Sequence, residues 1–261
     1  MSDFKINYFP KTRLATLDIC TVGLQKHHIS AMIEFDVTDS REKIKQLKRN
    51  GNKISFTAWL IKVISNTIKE YETVAGYLQG KRKVITFTDI NVSIAVEKEV
   101  NGQKVPIPLV IEKANEKSIE SITKQINDAT AQQLTEKDIV LQSKSSRMER
   151  IYYALPGFIR RGFWNYLLKH PQLAHSKMGN VAITSVGMIG RINGWFIPIS
   201  VHPICFGIGK ITKKPVVIDD KIEIREILNM SVLIDHDVVD GGLMARFISK
   251  LSDNIENGKE L

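Results

Sequence analysis

Apolar and polar positions along the chain alternate between two periods, and the switches between them outline its elements. Residues 29–37 (ISAMIEFDV) alternate as a half-buried strand does, and Asp39 or Ser40 then caps a charged helix running to about Arg49. Asn50-Gly51-Asn52 breaks that helix, and Ser55 opens another in which Phe56, Trp59, Leu60, Val63, Ile64, Ile68 and Tyr71 share one face. The runs KVITF (83–87) and INVSIAVEK (90–98), an Asn101-Gly102 turn and a proline-bounded strand from Val105 to Ile111 predict a hairpin. Ser118 to Ala129 places Ile119, Ile122, Ile126 and Ala129 on one helical stripe, with helix continuing towards Gln142. Later come VAITSVGMIG (181–190), ICFGIGK (204–210), PVVI (215–218) and a long run from Lys221 to Asp235, all predicted as strands. A final helix from Gly241 carries Met244, Phe247, Ile248, Leu251 and Ile255 on one side.

Arg147 to His170 breaks the alternation of strands and helices. Tyr152, Tyr153, Leu155, Phe158, Ile159, Phe163, Trp164, Tyr166, Leu167 and Leu168 alternate there with Arg150, Arg160, Arg161 and Lys169. The pattern predicts a broken, basic, aromatic amphipathic hairpin: a pair of short helices packed on the main body, or a lid over an apolar substrate, or a face lying on anionic lipid. No repeat and no Gly/Pro/Ser linker divides the 261 residues, so the expectation is a single domain of mixed α and β elements.

Composition narrows the function classes. Hydrophobic residues at 43% and charged residues at 25% are ordinary globular usage. No apolar run approaches the ~18 residues of a membrane-spanning helix, and no signal-peptide core opens the chain, so a cytoplasmic location is expected. Lys and Arg number 37 against 28 Asp and Glu, a net charge of +9. That balance suits phosphorylated small molecules or anionic surfaces, but the lysines are scattered and no basic, aromatic module points to nucleic acid. Cys20 and Cys205 stand far apart without clustered histidines, which speaks against a disulfide framework or a metal site; both read as buried small side chains.

Of six histidines, His236 has the most telling setting. It ends the apolar strand SVLID (231–235) and begins His236-Asp237-Val238-Val239-Asp240-Gly241-Gly242 before the last helix. A strand end beside glycines holds a polar group rigidly at a cleft, and an imidazole can take a proton from a thiol or hydroxyl and return it. Asp240 can orient the loop, and the alternative is a purely structural histidine. His27-His28 read as surface or interface residues, His202-Pro203 as a turn, Trp59 as core, Trp164 and Trp195 as half exposed, and Asp219-Asp220 as a β-turn rather than a metal pair.

The stretch IDHDVVDGGLMARFISKLSDNIENG resembles the C-terminal signature of the dihydrolipoyl acyltransferase component of 2-oxoacid dehydrogenase complexes, relatives of which include chloramphenicol acetyltransferase. AITSVGMIG (182–190), FIPIS (196–200), SAMIEFDVT (30–38) and SFTAWLIKVI (55–64) extend the resemblance over most of the chain, with 147–179 left as an insertion. The resemblance implies a chloramphenicol acetyltransferase-like α+β sandwich with a mixed central sheet flanked by helices. It further implies a homotrimer whose sites lie between subunits, and coenzyme A, as acyl-CoA, for substrate, with no bound metal. By that resemblance His236 is the general base and Thr184, 52 residues earlier, donates the oxyanion hydrogen bond; Ser185 would point to the opposite face. Asp240 is implied as a structural residue with Arg13 as its partner.

Three departures qualify those implications. Asp237 stands where the family most often has arginine, and a carboxylate beside the base favours imidazolium. The chain is expected to lack a lipoyl domain, so lipoate would not be attached to it, and a subunit-binding domain. Its polar C-terminus suggests trimers that stay isolated. The expected function is therefore acyl transfer from a thioester to a thiol, hydroxyl or amine. The alternatives are action on a lipoyl group of a separate carrier protein, or a catalytically silent trimeric scaffold or membrane-surface protein.

Overall fold

The computed structural model describes residues 2–9, 13–100, 103–131, 151–186 and 193–261. The first elements are α1 (Arg13–Gly23), β1 (His28–Asp36), α2 (Thr38–Arg49), α3 (Phe56–Glu70), β2 (Tyr77–Gln79) and β3 (Lys83–Ile85). Next come β4 (Val92–Val100), β5 (Gln103–Ile111), α4 (Ile119–Ala131), α5 (Gly157–Lys169) and α6 (Pro171–Met178). The chain ends with β6 (Val181–Ser185), β7 (Ile204–Ile218), β8 (Lys221–Asp235) and α7 (Gly241–Glu256). The Asn101-Gly102 turn, the helix continuation over 132–142, positions 147–150 and the 187–190 end of the VAITSVGMIG run lie outside the described residues.

Six strands form a mixed sheet in the order β1-β8-β7-β6-β4-β5, while β2 and β3 pair separately. β8 runs antiparallel to both of its neighbours, β1 and β7; β7, β6 and β4 run parallel, and β5 returns antiparallel on β4. Alternate sheet residues such as Phe35, Ile183, Phe206 and Val232 meet Trp59, Ile64, Phe247 and Leu251 of the helices in one continuous core. Removing that apolar area from water is the main force holding the helices to the sheet. Ser55 caps α3 as its sequence predicts, accepting the Ala58 N–H. The face from Phe56 to Tyr71 turns inward, with Trp59 fully enclosed and its indole N–H donating to the Lys259 carbonyl at 2.8 Å.

Three boundaries differ from the sequence pattern. Neither Asp39 nor Ser40 caps α2: Asp36 accepts the Thr38 N–H at 3.0 Å, and the Ser40 hydroxyl donates across the core to the Ile255 carbonyl at 2.6 Å. ICFGIGK and PVVI are one 15-residue strand, β7, with a register shift between Ile208 and Ile211. Asp219 and Asp220, at φ 48° and 61°, turn it into β8, and both left-handed residues mark a tight hairpin turn. The sequence pattern predicted no helix at α1, whose inward side mixes Val22 with a charge: Asp18 is buried and meets Arg160 of α5 at 2.6 Å.

The aromatic segment is a set of short helices packed on the body. A helical turn at 151–154 precedes α5 and α6. Asp18 also accepts the Tyr152 hydroxyl at 3.0 Å, and Trp164 donates to Tyr152 at 3.1 Å. Leu167, Ala174 and Met178 join Val22, Tyr77 and Val201 in a second, smaller apolar cluster.

Candidate functional site

β8 delivers His236. Its last residues alternate, so Val232 and Ile234 enter the helix-side core while Leu233 and Asp235 face the other way. His236 then leaves the sheet with its backbone N–H donating to the His27 carbonyl at 2.9 Å, and its side chain is exposed. The turn beneath it is built on Asp235, which accepts the Asp237 N–H at 3.2 Å through one oxygen and the Lys26 ammonium at 2.6 Å through the other. Asp240 Oδ1 accepts the Leu243 N–H at 2.7 Å and so caps α7, fixing where the loop ends.

Around this turn the second face of the sheet carries several polar groups that the sequence pattern did not connect with His236. His28, paired with Asp235 across β1 and β8, donates through Nε2 to the His202 carbonyl at 2.9 Å. His202 donates through its own Nε2 to the Met178 carbonyl at 3.0 Å and accepts from Ser200 at 3.2 Å. Burial lowers both imidazoles, His202 to about 4, so each is neutral at pH 7. The His202-Pro203 turn is thus an anchored corner. Lys26, His28, Asp235 and His202 were legible only as isolated polar letters; the Asp-His pair ahead of the glycines was the single local signal.

Asp237 and Arg13 have neighbours of their own in the structure. Asp237 faces His27, with its oxygens 2.9 and 3.0 Å from Nδ1. Its carboxylate is therefore engaged by the histidine just ahead of β1. Arg13 lies 5.9 Å from the Phe9 ring, and among the described residues no arginine pairs with Asp240.

Thr184, half-buried on β6, pairs with Gly207, which pairs in turn with Ser231. The three share the face crossed by the extended FIPIS segment. A β-carbon at Gly207 would lie 2.9 Å from the Phe196 carbonyl, so only glycine lets that segment approach. Ser231 donates to the same carbonyl at 2.6 Å. Because Thr184 is level with Ser231, His236 stands five residues further along and two strands across, about 19 Å away at ordinary strand spacing. One chain does not bring the two together. Cys205 is buried, which pushes its thiol up to about 12, and Cys20 is half-buried. Among the described residues no three His, Cys, Asp or Glu side chains cluster as metal ligands, and no helix is long and apolar enough to cross a membrane.

Known proteins resemble this chain in sequence and in fold. The lipoamide acyltransferase component of the branched-chain alpha-keto acid dehydrogenase complex of Bacillus subtilis is 27% identical over 238 residues, covering 88% of this chain and 47% of that protein. The dihydrolipoyllysine-residue acetyltransferase component of the pyruvate dehydrogenase complex of the same organism is 25% identical, covering 82% and 41%. The chain thus spans about half the length of these curated relatives. Among solved structures, a probable dihydrolipoamide acetyltransferase from Listeria monocytogenes superposes with a TM-score of 0.69 at 24% identity, covering 98% of this chain and 95% of that one. A truncated catalytic core of the 2-oxoacid dehydrogenase multienzyme complex from Thermoplasma acidophilum gives 0.66 at 23%, covering 98% and 100%. These likenesses establish the fold. The sequence model of the 2-oxoacid dehydrogenases acyltransferase catalytic domain matches residues 22–142 and 169–261, leaving only part of the aromatic segment and the first residues outside it, and by that match the chain belongs to this family.

Proposed function

We propose that the chain is a cytoplasmic acyltransferase that moves an acyl group from acyl-CoA to a thiol, hydroxyl or amine, in a site completed by a second copy of itself. The observation that carries this reading is the placement of His236: an exposed imidazole at the end of a rigid strand, its backbone tied to His27 and its turn held by the Lys26–Asp235 pair. The register places Thr184 far from it within one protomer, so a hydroxyl facing the base comes from a neighbour. A cyclic homotrimer supplies three such sites.

In the proposed reaction His236 takes the acceptor's proton as the acceptor's lone pair attacks the thioester carbonyl. The oxyanion that forms accepts a hydrogen bond from Thr184. Collapse breaks the C–S bond, and the proton passes from the imidazolium to the departing CoA thiolate. A thioester is already activated, so one base and one donor suffice. Asp240 acts through the α7 cap, by setting where His236 sits.

The test is acyl transfer from short acyl-CoAs to a small thiol, read as CoA release. His236→Ala is expected to lose ~10²–10⁴ in rate, and Thr184→Ala ~10²–10³ in kcat. Mixing the two inactive variants in equal amounts restores about one quarter of the sites if base and donor belong to different protomers of a ring. Transfer within a few-fold of the parent in His236→Ala overturns the assignment, and no recovery on mixing overturns the shared site.

A second reading has the same residues acting on a lipoyl group carried by a separate protein. The relatives named for lipoamide or for a dihydrolipoyllysine residue favour it. Faster exchange with a lipoylated domain than with free dihydrolipoamide distinguishes it from transfer to a small acceptor.

A further inference from the structure

We propose that α5 and α6 form a docking face for an anionic phospholipid surface, on which the protein lies without crossing it. A helix packed on a protein body normally shows solvent its polar side. α5 does the reverse: Arg160 is buried, while Phe158 is 69% exposed, Phe163 54%, Tyr166 55% and Ile159 42%. At 100° per residue these four span an arc of about 140° on one side of the helix. Leu173 of α6 is exposed as well.

This display is held in place rather than left loose. The opposite side of α5 is anchored by the Arg160–Asp18 ion pair at 2.6 Å, by Trp164 through Tyr152, and by Leu167 in the second apolar cluster. The outward aromatics are therefore presented by a fixed helix.

Charge identifies the occupant. From Ile151 to Met178 there is no aspartate or glutamate, whereas Lys169 and Lys177 are exposed and Arg161 reaches Asp18 only at 4.0 Å. Aromatic side chains flanked by unpaired basic ones, on a chain of net charge +9, match a layer of anionic headgroups over acyl chains. A second copy of this chain would bring a like charge to the same face. The area also argues against a protein partner: the outward sides of the 13-residue α5 and the 8-residue α6 together offer roughly 300 Å², against about 800 Å² per partner in a stable protein interface. The proposal is independent of the catalytic reading.

Vesicle flotation of the full chain tests it, using phosphatidylcholine vesicles with and without phosphatidylserine. Flotation is expected only with phosphatidylserine, and it should weaken as salt rises. Phe158→Ser with Phe163→Ser is expected to abolish it. Each basic residue at the surface multiplies partition by about five, so Lys169→Gln with Lys177→Gln should weaken it about 25-fold. Circular dichroism and acyl transfer to a soluble acceptor report that each variant is folded, and both should match the parent. Absence of flotation, equal flotation on neutral vesicles, or flotation unchanged by the Phe158/Phe163 pair overturns the proposal. A change in subunit number in that pair assigns the face to a second copy and overturns it equally.

Discussion

Replacing Lys26 by Met isolates what holds the His236 turn, because it keeps the length of the side chain and removes only its charge. In the parent the ammonium lies 2.6 Å from Asp235, whose side chain is 3% exposed. The variant leaves a carboxylate enclosed with a single backbone N–H, from Asp237, as partner. Losing one member of a buried pair costs about 3–5 kcal/mol while the other stays charged. Urea unfolding at neutral pH should show Lys26→Met less stable than the parent by about that amount. Adding Asp235→Asn, which needs no counter-charge, should restore most of the lost stability at pH 7. The turn also sets the imidazole, so transfer kcat should fall in Lys26→Met with KM little changed. A loss below about 1 kcal/mol at pH 7 would show that the pair does not organise the turn.

Two further outcomes follow from the same kind of accounting. Burial pushes His202 down to about 4 and His28 below its ordinary value, whereas the unfolded chain protonates both near 6.5. Their contribution is complete above about 6.5 and is lost as pH falls towards 4, by up to about 3 kcal/mol for His202; urea unfolding between those pH values checks it, and His202→Gln should flatten the decline. Arg160→Leu leaves Asp18, 2% exposed, with only the Tyr152 hydroxyl and the distant Arg161, and should cost about 3–5 kcal/mol or release α5 from α1. Hydrogen exchange confined to α1, α5 and α6 separates local release from global loss.

Periodicity located the elements wherever burial is one-sided. The alternation of β1, the α3 stripe and the α7 stripe survive into the structure because each element has one neighbour layer, and side-chain spacing is then sufficient information. It misjudged β7, where Lys213 and Lys214 interrupt the apolar letters without interrupting the strand; at that outer end the hairpin has less core to fill, and backbone pairing with β8 carries the strand across. It passed over α1 because the residue that fixes that helix, Asp18, gets its meaning from Arg160, 142 positions away. The site divides in the same manner. His236, Asp240 and Thr184 are candidates on local motif and resemblance, and the aromatic segment stands out by its composition. Lys26, His28 and His202 were not, since each is an ordinary letter until the fold of β1 against β8 sets it beside Asp235 or the 200–203 corner.

Strand direction also bears on how the chemistry is partitioned. β6 runs parallel to β7, and β8 runs antiparallel to it, so the C-terminal ends of β6 and β8 lie towards opposite ends of the sheet. His236 follows the end of one and Thr184 lies near the end of the other. No rotamer change spans about 19 Å, and moving either residue would mean slipping a strand whose register is fixed by one buried face. In the proposed reaction the base and the oxyanion donor are therefore assigned to different copies by topology alone. Each copy can then hold its half rigidly: one imidazole on a turn braced by a buried ion pair, one hydroxyl beside a glycine that lets the FIPIS segment press close. Neither half has to bend towards the other, and reactive geometry is set by how two rigid protomers meet.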